Sequence, residues 1–437
     1  MEIYGKILII VTPIFLALVM LETAYGWFVK KKAFRNMDAI SSMSSGYTNS
    51  VKDILGLSIT LLTYKWMVDH WTIYRVESSI WLYVIAFVSL DLTGYLVHRM
   101  SHEINFFWNK HAIHHSSEEF NLACALRQSI SSFVSLFTIF LLPAALLGVP
   151  AQVIAVVAPL HLFAQFWYHT TYIGKLGFLE KIIVTPSHHR VHHALNPEYM
   201  DKNHGQIFII WDKLFGSFQE ELPHVPPVFG ISRPVRTWNP IKINFQHLWL
   251  MLKDAWYAQN WPDKLRIWFM PTGWRPADVA ERFPVYKIED PYQYERYAPK
   301  NSPWLIGWSW VQFFFTFFLV LYFYGHIAKL GTPNMFVCGA FIYLCVFSYT
   351  ELMDRNPHAF WFEALKNLVG LGLIYQMGGW FTINDSLPWA TTFIAVYFVL
   401  STLVTAWFVW FEIRQAKPHP ESTASATPIL ASQSLTE

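Results

Sequence analysis

Apolar residues run through this chain in several long stretches with almost no charge inside them, and that limits the fold before any motif is considered. A helix needs about 20 predominantly apolar residues to cross a bilayer core, and several runs reach that length. Only 14% of the 437 residues are charged, against about 25% in an ordinary soluble domain. So little charge cannot cover a water-facing surface, and an all-α integral membrane protein is expected. Spans are expected near 5–28, 54–74, 79–98, 129–148, 151–172, 303–328, 334–351, 362–382 and 388–412, about nine in all.

Lys30, Lys31, Lys32 and Arg35 follow the first run rather than precede it, so that run reads as a retained anchor and not a signal peptide. By the positive-inside rule the same charges put the end near residue 30 in the cytoplasm. Counting spans forward then places 99–128 and the long polar segment 173–300 on the cytoplasmic side as a cap of helices and loops. The resulting division is 1–78 N-terminal spans, 79–220 a catalytic domain, 221–300 a cytoplasmic cap segment, 301–415 a C-terminal membrane bundle and 416–437 a disordered tail. The formal net charge of +2 and the lack of a basic run interleaved with aromatics give no reason to expect nucleic acid. Cys124, Cys338 and Cys345 are scattered, with no metal or disulfide spacing.

Histidine is the unusual residue. Twelve of the eighteen lie between His98 and His204. His98 and His102 are an i, i+4 pair at the end of the third expected span. His111, His114 and His115 repeat the convergence at i, i+3 and i+4, and His189, His192 and His193 repeat it again after the fifth span. On a helix these spacings put imidazoles on one face, within reach of one metal or one each of two. With histidine near 4%, a specified three-histidine pattern is expected on the order of 0.03 times by chance in such a chain, yet it occurs twice. His169, one turn after Gln165, is a further candidate. Lone histidines such as His247, His358 and His419 read as surface or packed residues.

Eight or nine imidazoles are too many for one ion and about right for two. Zinc in the same ligands would make a hydrolase, but two-metal hydrolases lean on bridging carboxylates, which these motifs scarcely supply. Two redox-active iron ions are therefore expected. A metal transporter would need a polar path through the bilayer, and no ladder of intramembrane charges supplies one. Asp91 lies seven residues before His98 and eleven before His102, which returns it to nearly the same helix face. A carboxylate inside a span usually has a partner, and Asp91 is expected to orient a ligand histidine. With no dinucleotide-binding glycine motif, haem motif or cluster of cysteines in the chain, electrons for dioxygen must come from outside.

The segments His98-Arg-Met-Ser-His102-Glu103-Ile-Asn, His115-Ser-Ser-Glu-Glu-Phe-Asn121, Leu126-Arg-Gln-Ser129, Phe166-Trp-Tyr-His-Thr170, Thr185-Pro-Ser-His-His-Arg-Val-His-His193, Asp201-Lys-Asn203 and Trp211-Asp-Lys-Leu-Phe-Gly216 resemble the fatty acid hydroxylase / sterol desaturase superfamily. Within it the likeness is greatest to the alkylglycerol monooxygenase family. It is strong over 80–220 and looser elsewhere. Gln165 stands where many members carry a further histidine, and His204 where an aromatic residue is commoner.

The resemblance implies a di-iron monooxygenase with dioxygen as co-substrate and tetrahydrobiopterin as reductant. Such an enzyme hydroxylates the ether-adjacent carbon of an alkylglycerol, which then falls into aldehyde and glycerol. Glu103 would support the pterin. Partners would be the membrane lipid substrate and an external reductase or pterin-recycling enzyme. The membrane would be the endoplasmic reticulum in a eukaryote or the inner membrane in a bacterium. A sterol or fatty-acyl hydroxylase or desaturase fed by a cytochrome or ferredoxin is the nearest alternative, and a di-zinc membrane hydrolase a further one.

Overall fold

The computed structural model describes residues 2–415 apart from 33–34, 58, 61, 78, 133 and 136, so the expected tail at 416–437 lies outside the described residues. The regular structure of the described residues is almost all helical; their only strands are a two-residue parallel pairing of Ile59–Thr60 with Val134–Ser135. In chain order the helices that matter here begin with α1 (Glu2–Phe28), α2 (Asn36–Ile54), α3 (Tyr64–Trp71), α4 (Ile80–Glu103) and α5 (Asn105–His115). After them come α6 (Leu142–Leu146), α7 (Ala151–Phe163), α8 (Pro186–His193), α9 (Ile210–Phe215), α10 (Pro240–Tyr257), α11 (Trp261–Arg266) and α12 (Ala277–Arg282). The chain closes with α13 (Pro303–Leu330), α14 (Asn334–Met353), α15 (Ala359–Met377) and α16 (Ala390–Trp407).

Five helices among the described residues are long and apolar enough to cross a membrane: Tyr4–Phe28, Ile80–Glu103, Pro303–Leu330, Asn334–Met353 and Ala390–Ile413. Nine were expected. The run at 54–74 is broken by Gly56 in a left-handed turn before the eight-residue α3, and the described residues of 129–148 give the short strand Val134–Ser135, a 3-10 turn at Phe137–Leu141 and α6, ending at Gly148 with φ +64°. The run at 151–172 stops at Phe163 after thirteen helical residues, with Pro159 inside the helix. Proline and left-handed glycine end helices whatever the hydropathy around them. The run at 362–382 does form a helix, α15, but it carries Glu363 and Lys366, a buried ion pair at 2.6 Å.

Two cores organise the molecule. The larger joins α13–α16 to α1 and α2, with Ile40, Met43 and Val51 of α2 packed among Phe313, Phe323, Ile342 and Tyr349. Gly5 of α1 lies against the backbone of α13, where a Cβ would collide with the Tyr324 carbonyl, so the two helices approach closely through a small residue. The smaller core packs α3, α4, α6 and α7 together around Met67, Ala86, Ala144 and Val157. Part of the larger core is α2, a buried helix rich in serine that no hydropathy pattern marks. Its Asp38 pairs with buried Arg127 at 3.0 Å, and its Ser42 accepts from the Arg127 Nε. The segment 173–300 holds the short helices α8, α9, α11 and α12 and the longer α10, which packs against α5, α2 and α14.

Candidate metal centre

α4 ends at Glu103, Ile104 takes an extended conformation, and α5 folds back beside α4. Asn105 fixes this corner, its side-chain amide donating to the carbonyls of Ile267 and Trp274. The corner brings His98 and His102 against His111 and His115. α8 arrives from a distant part of the chain with Pro186 at its first turn, a position where a missing N–H costs nothing. There the Thr185 backbone N–H donates to His188 Nδ1 at 3.4 Å, which turns His188 back onto its own helix start.

All nine histidines expected as ligands meet in two adjoining groups. His98, His102, His111, His115 and His192 form one; His114, His169, His189 and His193 form the other. In each group the nitrogens lie within 4.8 Å of one another, and no carboxylate or cysteine of the described residues belongs to either. The groups touch through His115 and His193, whose rings stack with centroids 4.2 Å apart. One detail departs from expectation. The three imidazoles of each motif do not share a face: His114 crosses to the second group and His192 to the first, because residues three apart on a helix diverge by about 60° while those four apart diverge by about 40°.

The spacing fits a coordination shell. With imidazole nitrogen about 2.1 Å from a first-row ion, adjacent ligands stand about 3.0 Å apart in an octahedral shell and about 3.4 Å in a tetrahedral one. The Nε2–Nε2 separations are 2.9 Å for His98–His111, 3.0 Å for His111–His115 and 3.2 Å for His102–His115. In the second group they are 2.9 Å for His169–His189, 3.0 Å for His189–His193, 3.1 Å for His114–His193 and 3.4 Å for His114–His169. The His192 Nε2 is buried with no hydrogen-bond partner, an orphan that a metal bond would explain.

The outward nitrogens are tied to oxygens. Nδ1 of His98, His114, His169 and His192 lies 2.8–3.3 Å from the carbonyls of His204, Arg127, Gln165 and Lys202 respectively. A carbonyl can only accept, so these Nδ1 atoms carry the proton and Nε2 keeps its lone pair for the centre. Burial, reinforced by neighbouring imidazoles, holds His111, His115, His189, His192 and His193 well below the usual histidine range, and holds His114 at about 4. Neutral imidazole is the form that ligates.

Asp91 is fully buried, but its histidine is not one of the nine. It lies 2.8 Å from His161 Nε2 and accepts from the backbone N–H groups of Ile207 and Phe208 and from Trp211 Nε1. Its reach to the centre is indirect: Gln165 Nε2 lies 3.1 Å from His161 Nδ1, and the Gln165 carbonyl meets His169 Nδ1. His98 and His102 lie about two and three turns further along α4, and their ring nitrogens meet the His204 carbonyl and His115 instead. Glu103 is 49% exposed, holds Arg99 at 2.8 Å, and lines neither group. Sequence reasoning missed Phe120, whose ring lies 5.2 Å from His193 and 5.8 Å from His169, and the backbone carbonyls, which leave no mark on a sequence.

Comparison with known proteins is consistent over this region. The family model described as fatty acid hydroxylase matches residues 83–217. Alkylglycerol monooxygenase of Homo sapiens is 34% identical over 420 residues, covering 94% of this chain and 90% of that protein. The Danio rerio protein of the same name is 32% identical, covering 90% and 86%. An ornithine lipid hydroxylase of Rhizobium tropici is 29% identical over 144 residues, 33% of this chain and 42% of its own. No solved structure matches the chain.

Proposed function

The chain belongs to the alkylglycerol monooxygenase family and is a membrane lipid monooxygenase with a fatty acid hydroxylase domain; from that premise we propose that it cleaves alkylglycerol ethers with a di-iron centre, dioxygen and tetrahydrobiopterin. One oxygen atom enters the C–H bond beside the ether oxygen and the other leaves as water, with two electrons and two protons supplied by the reduced pterin. The hemiacetal so formed breaks into aldehyde and glycerol. The observation that carries this reading is the pair of all-imidazole groups with their Nε2 atoms turned inward. Two iron ions held there would supply the redox chemistry that dioxygen activation requires.

The protein's own residues set the conditions. The carbonyls of His204, Arg127, Gln165 and Lys202 lock four imidazoles in the ligating tautomer. Phe120 and Tyr168 cover the second group and keep water from it. We assign Glu103 to the pterin, since it follows a ligand directly and is open to a diffusible molecule. The basic residues after α1 support a cytoplasmic centre, at the endoplasmic reticulum or a bacterial inner membrane according to the host.

The test is turnover by iron-loaded protein in nanodiscs with 1-O-alkylglycerol, labelled dioxygen and tetrahydrobiopterin, with aldehyde and label read by mass spectrometry. Two irons per chain and labelled aldehyde are expected, and Glu103→Gln should raise the pterin concentration needed without lowering iron content. Turnover with a cytochrome reductase chain but not with pterin would sink the pterin assignment.

A further inference from the structure

The exposed side of α10 changes character along its length. Lys242 and Gln246 mark its start, and Trp249, Leu252 and Trp256 its end. The stripe continues past a turn onto α11 and beyond as Trp261, Leu265 and Phe269, at i, i+4 and i+8. Trp256 is 79% exposed, Trp261 72% and Phe269 73%. So many large aromatics in some twenty residues exceed the scattered exposure of an ordinary surface.

The charges on this segment are sorted. Residues 240–270 hold four basic residues, Lys242, Lys253, Lys264 and Arg266, against two acids, Asp254 and Asp263. Both acids turn inward, Asp254 onto Arg275 at 2.6 Å and Asp263 onto Arg266 at 2.6 Å. What faces out is aromatic, with Lys253 exposed beside it, while Lys242 is held by Glu351, Lys264 by the Ala255 and Trp256 carbonyls and Arg266 by Asp263.

The depth of the segment is fixed by its neighbour. The N–H groups of Asn105 and Phe106 donate to the carbonyls of Met270 and Trp268, and the Thr272 N–H to that of Glu103. Residues 268–272 therefore run beside the end of α4. That helix has 24 residues, about 36 Å at 1.5 Å each, against a hydrocarbon core of about 30 Å. Its end stands at headgroup level, and so does the segment beside it.

We propose that α10–α11 and the turn to Phe269 form an interfacial membrane-binding surface, its aromatics sunk among the acyl chains and Lys253 among phospholipid headgroups. Tryptophan belts and basic amphipathic helices occupy that zone for the same physical reason: one side is apolar and the rim is wet and charged. The inner edge of α10 is bolted to the histidine helix. The Leu248 N–H donates to the Asn109 side chain, and His247 Nε2 lies 3.1 Å from the Asn105 carbonyl. The surface that meets lipid is therefore one helix away from His111, His114 and His115, and a lipid gathered there lies beside the centre. The segment read from sequence as a water-facing cap becomes, on this proposal, partly a membrane element.

The test uses the full chain in nanodiscs of phosphatidylcholine and phosphatidylglycerol. Spin labels at Trp256→Cys and Phe269→Cys, with Glu295→Cys as the water-facing reference, react selectively because the native cysteines are buried. Collision with oxygen should dominate at 256 and 269, and collision with a nickel chelate at 295. Nickel dominating at 256 and 269 overturns the proposal, and so does shielding from both reagents, which would mean a protein partner or second copy. In the unmodified protein, hydroxyl-radical oxidation of Trp256 and Trp261 should be several-fold lower than that of exposed Tyr286; equal oxidation also overturns it. Neither readout depends on turnover, so the oxygenase reading can fail while this one stands.

Discussion

Each three-histidine motif sends two imidazoles to one group and one to the other, in opposite senses. His111 and His115 stay with His98 and His102 while His114 leaves; His189 and His193 stay with His169 while His192 leaves. Neither group is complete without both motifs, so the two ion sites are coupled residue by residue. Their protonation is coupled as well. His114 is held at about 4 and its neighbours lower than the ordinary value of 6.5. An unfolded chain binds protons below 6.5 that the folded chain refuses, so stability is fully present above 6.5 and falls as pH drops from there toward 4. Metal retention should follow the same window, because a protonated imidazole cannot ligate. Iron content after dialysis across pH 7.5 to 4 checks this. Undiminished iron at pH 4.5 would contradict the reading.

At the scale of an element, α15 holds the most unusual arrangement outside the centre. Lys366 donates to Glu363 at 2.6 Å, Ser348 donates to the other carboxylate oxygen, and Asn367 bridges to Ser401 and Thr402. Every charge there is buried and answered. Removing one partner should cost far more than removing both. Lys366→Met leaves a buried carboxylate unpaired, for which about 3–5 kcal/mol is expected, while a paired apolar replacement is commonly near neutral. Thermal unfolding in detergent of Lys366→Met against Glu363→Leu/Lys366→Met measures the difference. Equal melting of the two variants would show that the pair is not what holds α15 between α14 and α16. The α2 helix makes a related point. Its serines look like loop composition, yet they lie buried because Arg127, Gln128 and Tyr349 come to meet them.

At the scale of the molecule, the C-terminal bundle supports the site from behind. Glu351 at the end of α14 takes Asn239 and Lys242 from the start of α10, and Asp354 accepts from the Trp238 N–H and Tyr297 hydroxyl. α2 in turn shares the bundle's core and holds Arg127, whose carbonyl orients His114. A chain ending at residue 300 should therefore lose bound iron although it keeps all nine imidazoles. Supplying 301–437 as a separate chain should restore part of it. Metal analysis of the purified fragment, alone and co-expressed, decides; two irons held by the fragment alone would make the bundle dispensable for the centre.

The histidine set was legible because helix periodicity acts locally. Residues three and four apart must neighbour one another on any helix, so His98, His102 and the two three-histidine motifs announced themselves without a fold. The lipid environment was legible too, since composition alone decides whether a surface can face water. The count of spans was not, because hydropathy records what a segment can bury and not whether Gly56, Gly148 or Pro159 lets it continue as a helix. Nor was the sorting of the nine imidazoles into five and four, the attachment of Asp91 to His161, or the backbone oxygens that fix the tautomers. Those depend on which helices come to lie side by side. Contacts between residues a hundred positions apart are set by the packing of whole elements, and no short stretch of sequence carries that information.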